Sequence, residues 1–339
     1  MKNTYRAMQI TRPGVLELVE RQMPAPGTGE VLIAVEACGI CGADVADIEG
    51  ADSRLQPPRV PGHEVVGRIA AIGAAVPAIW RLGQRVGVGR LAGHCNECRQ
   101  CRQGRFQLCV NQGFTGASRD GGYAEMMLAR STGLVSIPDE LEAEEAAPIL
   151  CAGIATFNAL RKSGAQAGDT VAIFGIGGLG HMAVQYARRM GFRVVALGRG
   201  SAADDALALG AHAYIDTESA DAVGKLQAMG GAQAMIATAS DPGNVASLMR
   251  GLAPQGRLVL LGAGKAALPV APGQLVVGER SLLGSITGTP YENEKALDFS
   301  VLSGVRAMVE TMPLEQADAA YQRMKSGGAR YRMVLVMGE

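Results

Sequence analysis

Apolar residues fall into two regimes along the chain. From about Met8 to Val135 they form short runs rich in β-branched residues: Val31-Leu32-Ile33-Ala34-Val35, residues 65–72, and Gln84-Arg85-Val86-Gly87-Val88. Pro24, Pro26, Gly27, Gly29, Pro57, Pro58, Pro61 and Gly62 punctuate these runs, as in an all-β region rich in turns. Near Pro138 the pattern changes. Residues 140–162, dense in Ala, Leu and Glu, predict one helix that stops at Gly164. Predicted strands at 169–174, 192–197, 234–237 and 257–261 then alternate with predicted helices at 181–190 and 202–209. That alternation signals a parallel, doubly wound sheet. A helix over 292–302 and a strand over 333–337 follow.

The length of 339 residues suggests two domains, each able to bury its own core. With 32 Lys+Arg against 32 Asp+Glu there is no general field to draw in nucleic acid or an anionic membrane. No apolar run approaches the ~18 residues a bilayer span needs, and Met1 to Met8 lacks the apolar core of a secretory signal. The expectation is a soluble, cytoplasmic protein without nucleic-acid or membrane partners. Two counts change the picture: 46 Gly and seven Cys. In a reducing compartment seven Cys point to metal binding or catalysis before disulfides.

Gly175-Ile176-Gly177-Gly178-Leu179-Gly180 follows an apolar strand and opens a helix, the context in which G-x-G-x-x-G holds a dinucleotide. One Gly permits the tight turn, the next lets backbone approach a pyrophosphate, and the third lets helix pack on strand. The phosphates then meet the free N–H groups of the helix N-terminus. A glycine turn without a ligand is the bland alternative, and the coincidence of strand, motif and helix speaks against it. After the next strand an acid would bind the NAD ribose, whereas its absence beside an Arg accommodates a 2′-phosphate. Gly198 stands at that position with Arg199 beside it, which favours NADP(H) over NAD(H). Asp204 and Asp205 are poor neighbours for a phosphate and pull the other way.

Cys95, Cys98, Cys101 and Cys109 form C-x2-C-x2-C-x7-C, four thiolates able to close a tetrahedral shell around a structural Zn²⁺. An iron–sulfur cluster also takes four Cys, though this spacing fits ferredoxin patterns less well. Cys38-Gly39-Ile40-Cys41 is literally C-x-x-C, so a redox pair is an alternative, but it lies in the strand-rich part and not at a βα junction. Pro61-Gly62-His63-Glu64 follows downstream, and Cys, His and Glu are all zinc ligands.

Together these motifs resemble the zinc-dependent alcohol dehydrogenases of the medium-chain dehydrogenase/reductase superfamily. The likeness covers nearly the whole chain: Gly39-Ile40-Cys41-Gly42, Pro61-Gly62-His63-Glu64, the four-Cys lobe, Ile149-Leu150-Cys151-Ala152-Gly153, the glycine loop and Ala329-Arg330-Tyr331-Arg332 occur in family order. The resemblance implies an α/β protein with a GroES-like β-rich catalytic domain (1–150 and 286–339) and a Rossmann domain (151–285). It also implies two zinc ions per chain. Cys41, His63 and Cys151 would hold the catalytic one, with Glu64 as an exchangeable fourth ligand and Asp44 orienting the histidine. Arg332 would contact the pyrophosphate, and Gly262, Ala263, Ser285 and Ile286 the nicotinamide end. Substrates would be small alcohols or carbonyl compounds, and the protein a homodimer or homotetramer. Hydride would pass between nicotinamide and a carbon whose oxygen zinc polarises.

The chain departs from the family where a proton must leave. The relay hydroxyl two residues after the zinc Cys is Ala43, the relay His is Ala46, and a Thr near the nicotinamide is Ala155, with Thr156 alongside. Ala neither donates nor accepts a proton. Water, or Asp47 or Glu49 through water, is one substitute. The other reading is a substrate that needs no such relay, an activated C=C or C=N bond. A non-catalytic nucleotide-binding protein is the rival from another class. His94, His181, His212, Cys38 and Trp80 read as structural or surface residues.

Overall fold

Strands dominate the chain as far as Ser136: β1 (Thr4–Arg12), β2 (Val15–Gln22), β3 (Glu30–Ile40), β4 (Glu64–Ile72), β5 (Arg85–Val88), β6 (Met126–Arg130) and β7 (Leu134–Ser136). Strands and helices then alternate through β8 (Thr170–Phe174), β9 (Arg193–Gly198), β10 (Ala213–Asp216), β11 (Ala232–Ala237), β12 (Leu252–Leu260) and β13 (Ser281–Gly284). Finally come β14 (Val309–Pro313) and β15 (Arg332–Val336). The computed structural model describes residues 3–51, 57–200, 202–218, 221–239, 241–262 and 264–338. The chain divides into two units, Met1–Cys151 with Gly288–Glu339, and Ala152–Thr287.

The first unit is built on a seven-stranded sheet in the order β14-β15-β3-β4-β5-β7, with β6 also on β3. Alternate residues of the strands, among them Ile33, Val35, Val65, Ile69, Val86 and Val88, enter one core with Tyr123, Tyr321 and Leu335. Each such aliphatic side chain contributes about 1.5–3 kcal/mol by leaving water. Register then sets the site. Gly39 lies opposite Glu64, and Ile40 opposite Met333. The last turn of pairing on β3 thus gathers the residue before Cys41, the start of β4 and the start of β15. Any side chain at 39 would displace Glu64, because a Cβ there would stand 2.0 Å from Glu64 Oε2 and 3.0 Å from its Cβ.

The second unit carries a six-stranded sheet, β10-β9-β8-β11-β12-β13, parallel throughout. Counted within this unit the order is 3-2-1-4-5-6, the dinucleotide-binding Rossmann arrangement. Two of its strands, β10 and β13, are four residues long and half-buried, so their apolar signal is too weak to stand out in the sequence. β12 begins at Leu252, five residues before the run that marks it in the sequence.

The single helix expected over 140–162 is three pieces. Helices Ala143–Pro148 and Ile154–Lys162 flank a π-helical turn, Ile149–Gly153. Pro148 removes one backbone donor at the junction, and a wide turn is how a helix absorbs such a break. Cys151 sits in the middle of that turn. Among the described residues no helix is long and apolar enough to cross a membrane.

Candidate active site

Cys41, His63, Glu64 and Cys151 converge at the end of β3 in the first unit, all four buried, with their ligand atoms within 4.8 Å of one another. Cys41 follows β3 directly, and its Sγ lies 3.8 Å from Cys151 Sγ. The helix Asp44–Ile48 starts three residues later, and Asp44 turns back on the cluster. Its Oδ2 accepts from the Cys41 backbone N–H at 2.9 Å and from the Tyr123 hydroxyl at 3.0 Å. Its Oδ1 is 2.7 Å from His63 Nδ1. The ring is thereby fixed with Nε2 facing the sulfurs.

His63 Nε2 is buried and has no hydrogen-bond partner among the described residues. A buried polar atom left without a hydrogen bond costs about 1–3 kcal/mol, so it calls for an explanation, and an ion bound in place of the proton supplies one. Glu64 repeats the pattern: Oε1 takes a hydrogen bond from Arg332, while buried Oε2 is unpartnered. Two sulfurs, one imidazole nitrogen and a carboxylate oxygen in this space fit a zinc ion, with the carboxylate at the replaceable position.

The electrostatics follow from burial. Burial works against a charged His63, yet Asp44 more than compensates and holds the imidazole up at about 10. Burial pushes the Glu64 carboxyl up to about 7 against the pull of Arg332. A hydrogen bond from Cys151 holds the Cys41 thiol well below the usual range, and Cys151 is correspondingly raised, so the two share a proton. A cation between them would displace that proton.

Arg332, expected on a pyrophosphate, is 3% exposed; its Nη2 donates to Glu64 Oε1, while its Nε is buried without a hydrogen-bond partner among the described residues. The cause is physical: a carboxylate taken out of water beside two sulfurs needs a counter-charge. Asn293 braces the other side. Its Nδ2 donates to the Leu150 carbonyl at 3.3 Å, next to Cys151. No motif marks Asn293 or Tyr123 in the sequence; both act across 79 residues or more.

The second cluster is local. Cys95, Cys98, Cys101 and Cys109 bring their sulfurs together, with separations of 3.5, 4.0 and 3.6 Å for Cys98–Cys101, Cys98–Cys109 and Cys95–Cys109. A tetrahedral Zn–S shell requires sulfurs about 3.8 Å apart. The Cys98 and Asn111 backbone N–H groups point at Cys95 and Cys109 sulfur, both at 3.4 Å. Backbone N–H groups of Glu97 and Cys98 bring the Cys95 thiol down to about 6. His94 stacks on Phe106, ring centroids 4.2 Å apart, and all seven cysteines are free thiols.

In the second unit the expected cofactor residues lie at the C-terminal ends of parallel strands. Gly175 to Gly180 link β8 to the helix Gly180–Arg189, with Leu179 as its N-cap. Gly180 is obligatory, since a Cβ would sit 1.8 Å from the Gly175 carbonyl oxygen. Gly198 ends β9, Gly262 follows β12, and Ser285 and Ile286 follow β13. Ala263 lies outside the described residues. A side chain at 198 would meet the Tyr214 hydroxyl at 2.9 Å, and Arg199 pairs with Asp241 at 3.4 Å.

Two family models match the chain: "Alcohol dehydrogenase GroES-like domain" over residues 27–139 and "Zinc-binding dehydrogenase" over 178–301. Alcohol dehydrogenase notN of Aspergillus sp. (strain MF297-2) is 41% identical over 340 residues, 99% of each chain. The chain belongs to the zinc-type alcohol dehydrogenase family of the medium-chain dehydrogenase/reductase superfamily. Solved alcohol dehydrogenase structures agree. A cinnamyl alcohol dehydrogenase of Sorghum bicolor superimposes with a TM-score of 0.90 at 28% identity, covering 98% of this chain and 97% of that one. CAD from Helicobacter pylori, complexed with NADP(H), does so at 0.85 and 26%, covering 99% of each. The family's two-domain plan is the one seen here, a GroES-like β-rich unit and a Rossmann sheet.

Within that family pattern the missing relay groups stand out. Ala43 and Ala46 are exposed and carry no proton. The nearby acids are engaged: Asp47 with Arg90, and Glu49 with Lys325 and the Tyr321 hydroxyl. Thr156 gives its hydroxyl to the carbonyls of Ala152 and Gly153, at 2.8 and 3.0 Å.

Proposed function

We propose that this chain interconverts alcohols with aldehydes or ketones by hydride exchange with NADP(H), using one zinc at Cys41, His63, Cys151 and Glu64 and a second at the four-Cys lobe. The observation that carries this reading is the orphaned, buried Nε2 of His63 facing two sulfurs and a free carboxylate oxygen. The ion would supply Lewis acidity to the substrate oxygen, and the nicotinamide would supply or accept hydride.

The chain's own residues prepare that chemistry. Asp44 holds the His63 tautomer and aligns the Cys41 backbone. Arg332 donates to one oxygen of Glu64, opposing the effect of burial, and leaves the other oxygen free to enter or leave the ligand set. At the lobe, sulfurs 3.5–4.0 Å apart suit a single ion better than a cluster that must spread them. Arg199 without an acid at 198 favours the 2′-phosphate, although Asp241 must be outcompeted for the guanidinium.

Metal content and a substrate panel test the proposal together. Two zinc ions per chain, with alcohol oxidation faster on NADP⁺ than NAD⁺, are expected. A single zinc, or activity with neither alcohols nor carbonyls, would overturn it. The engaged state of Asp47, Glu49 and Thr156 favours one further reading, reduction of an activated C=C or C=N bond. Turnover of enones or imines without alcohol oxidation would select it. Ala43→Thr should raise alcohol turnover only if the missing hydroxyl limits the rate.

A further inference from the structure

Asp47 and Arg90 form an ion pair that no motif announces. Asp47 lies one turn beyond Asp44 on the helix Asp44–Ile48, which starts three residues after Cys41. Arg90 follows β5 and Gly89. The guanidinium engages the carboxylate with both ends, Nη1 on Oδ2 and Nη2 on Oδ1, the latter at 3.1 Å. The side chains are 6% and 20% exposed. Nη1 also donates to the Thr115 carbonyl at 3.2 Å, and the guanidinium carbon lies 5.5 Å from the centre of the Phe114 ring. Three contacts therefore hold Arg90 in one orientation.

What the pair connects gives it meaning. On the Asp47 side, the helix carries Asp44, which fixes both the Cys41 backbone and His63. On the Arg90 side, Gly89 packs directly against the chain at Leu150: a Cβ on Gly89 would lie 2.7 Å from the Leu150 carbonyl oxygen. Leu150 precedes Cys151. The pair thus ties the segment presenting Cys41 to the segment against which Cys151 rests, although the two ligands are 110 residues apart in sequence. A bidentate Arg–carboxylate pair fixes distance and angle together, as a single hydrogen bond does not. Within a mostly enclosed site, removing one partner leaves a charge that must be hydrated or move.

We propose that the Asp47–Arg90 pair is a positioning clamp for the catalytic-zinc ligands, holding Cys41 and Cys151 at metal-binding separation. It acts through the segments bearing the ligands and touches neither sulfur. The inference rests on reading Cys41, His63, Glu64 and Cys151 as a zinc centre. It also removes Asp47 from the proton path, because its carboxylate is committed to Arg90.

The test uses the full-length, zinc-loaded protein, in which the four-Cys lobe is an internal standard. Zinc release to an excess of a chromogenic chelator is followed for wild type, Asp47→Asn, Arg90→Met, Arg90→Lys and the double variant Asp47→Leu/Arg90→Met. Partners of this kind typically govern about 10–100-fold in metal affinity. The expected result is one zinc released at least about tenfold faster in Asp47→Asn and Arg90→Met, the other unchanged, with Arg90→Lys between because it keeps the charge and loses the fork. The double variant leaves no charge unpaired, so it stays folded and still releases one zinc faster. Cobalt substituted into that centre should show a shifted visible spectrum in the same variants. If both metals leave at wild-type rates while the melting temperature falls, or both accelerate equally, the pair is only structural and the clamp is wrong. If wild type binds one zinc alone, at the lobe, the catalytic-centre reading itself fails, an outcome visible before any variant is made.

Discussion

The first unit holds two metal-type clusters that differ in how the chain makes them. The four-Cys lobe spans residues 95–109 and orients its sulfurs with nearby backbone N–H groups. The Cys41 cluster draws ligands from three places on the chain and supports them with Asp44, Tyr123, Arg332 and Asn293. A closed local shell needs little beyond its own ligands, and its metal substitutes for a core too small to form. An open centre must keep one position exchangeable while every other atom stays fixed, so its supports are numerous and distant.

Four experiments press on that contrast. Cys151→Ser should abolish binding of one zinc and cut kcat/KM by about 1000-fold or more, since the ion supplies several kcal/mol of transition-state stabilisation. Retained turnover with one zinc would dissolve the distinction between the clusters. Cys109→Ser should act on folding: the melting temperature should drop by about 5–15 °C while turnover per folded, catalytic-zinc-loaded molecule stays near wild type. A selective loss of kcat at unchanged stability would reverse that assignment. Asp44→Ala should weaken the catalytic zinc by about 10–100-fold and leave the lobe untouched, as equilibrium competition with a chelator would report. Tyr123→Phe removes one of three hydrogen bonds to Asp44 and should cost about 1 kcal/mol, a several-fold weakening of the same zinc. An effect as large as that of Asp44→Ala would mean that the hydroxyl does more than support the carboxylate.

The same contrast explains what could be read from the chain. C-x2-C-x2-C-x7-C and the glycine loop are legible because their partners are close in sequence and the geometry is local. The parallel sheet is legible too, since Val171 to Phe174 and Val194 to Leu197 are buried on both faces and read as unbroken apolar runs. Cys41, His63, Glu64 and Cys151 emerge only once the motifs are taken together in family order. Their supports stay hidden. An Arg at 332 and an acid at 64 carry no mark of pairing, because the register of β15 and β4 on β3 brings them together. The π turn at Ile149–Gly153 is concealed for another reason: Ala- and Leu-rich composition speaks for helix on both sides and is silent about one extra residue per turn.

The Arg332–Glu64 pair spans 268 residues, and that separation sets an order in time. During synthesis the four-Cys lobe has all its ligands once the chain has been made through Cys109. Cys151 appears later, and Glu64 meets its counter-charge only when Arg332 has emerged and β15 has docked on β3. The local cluster can therefore assemble before the segments that complete the other have been made. The Cys41 cluster gains its full electrostatic support only after β15 has paired with β3.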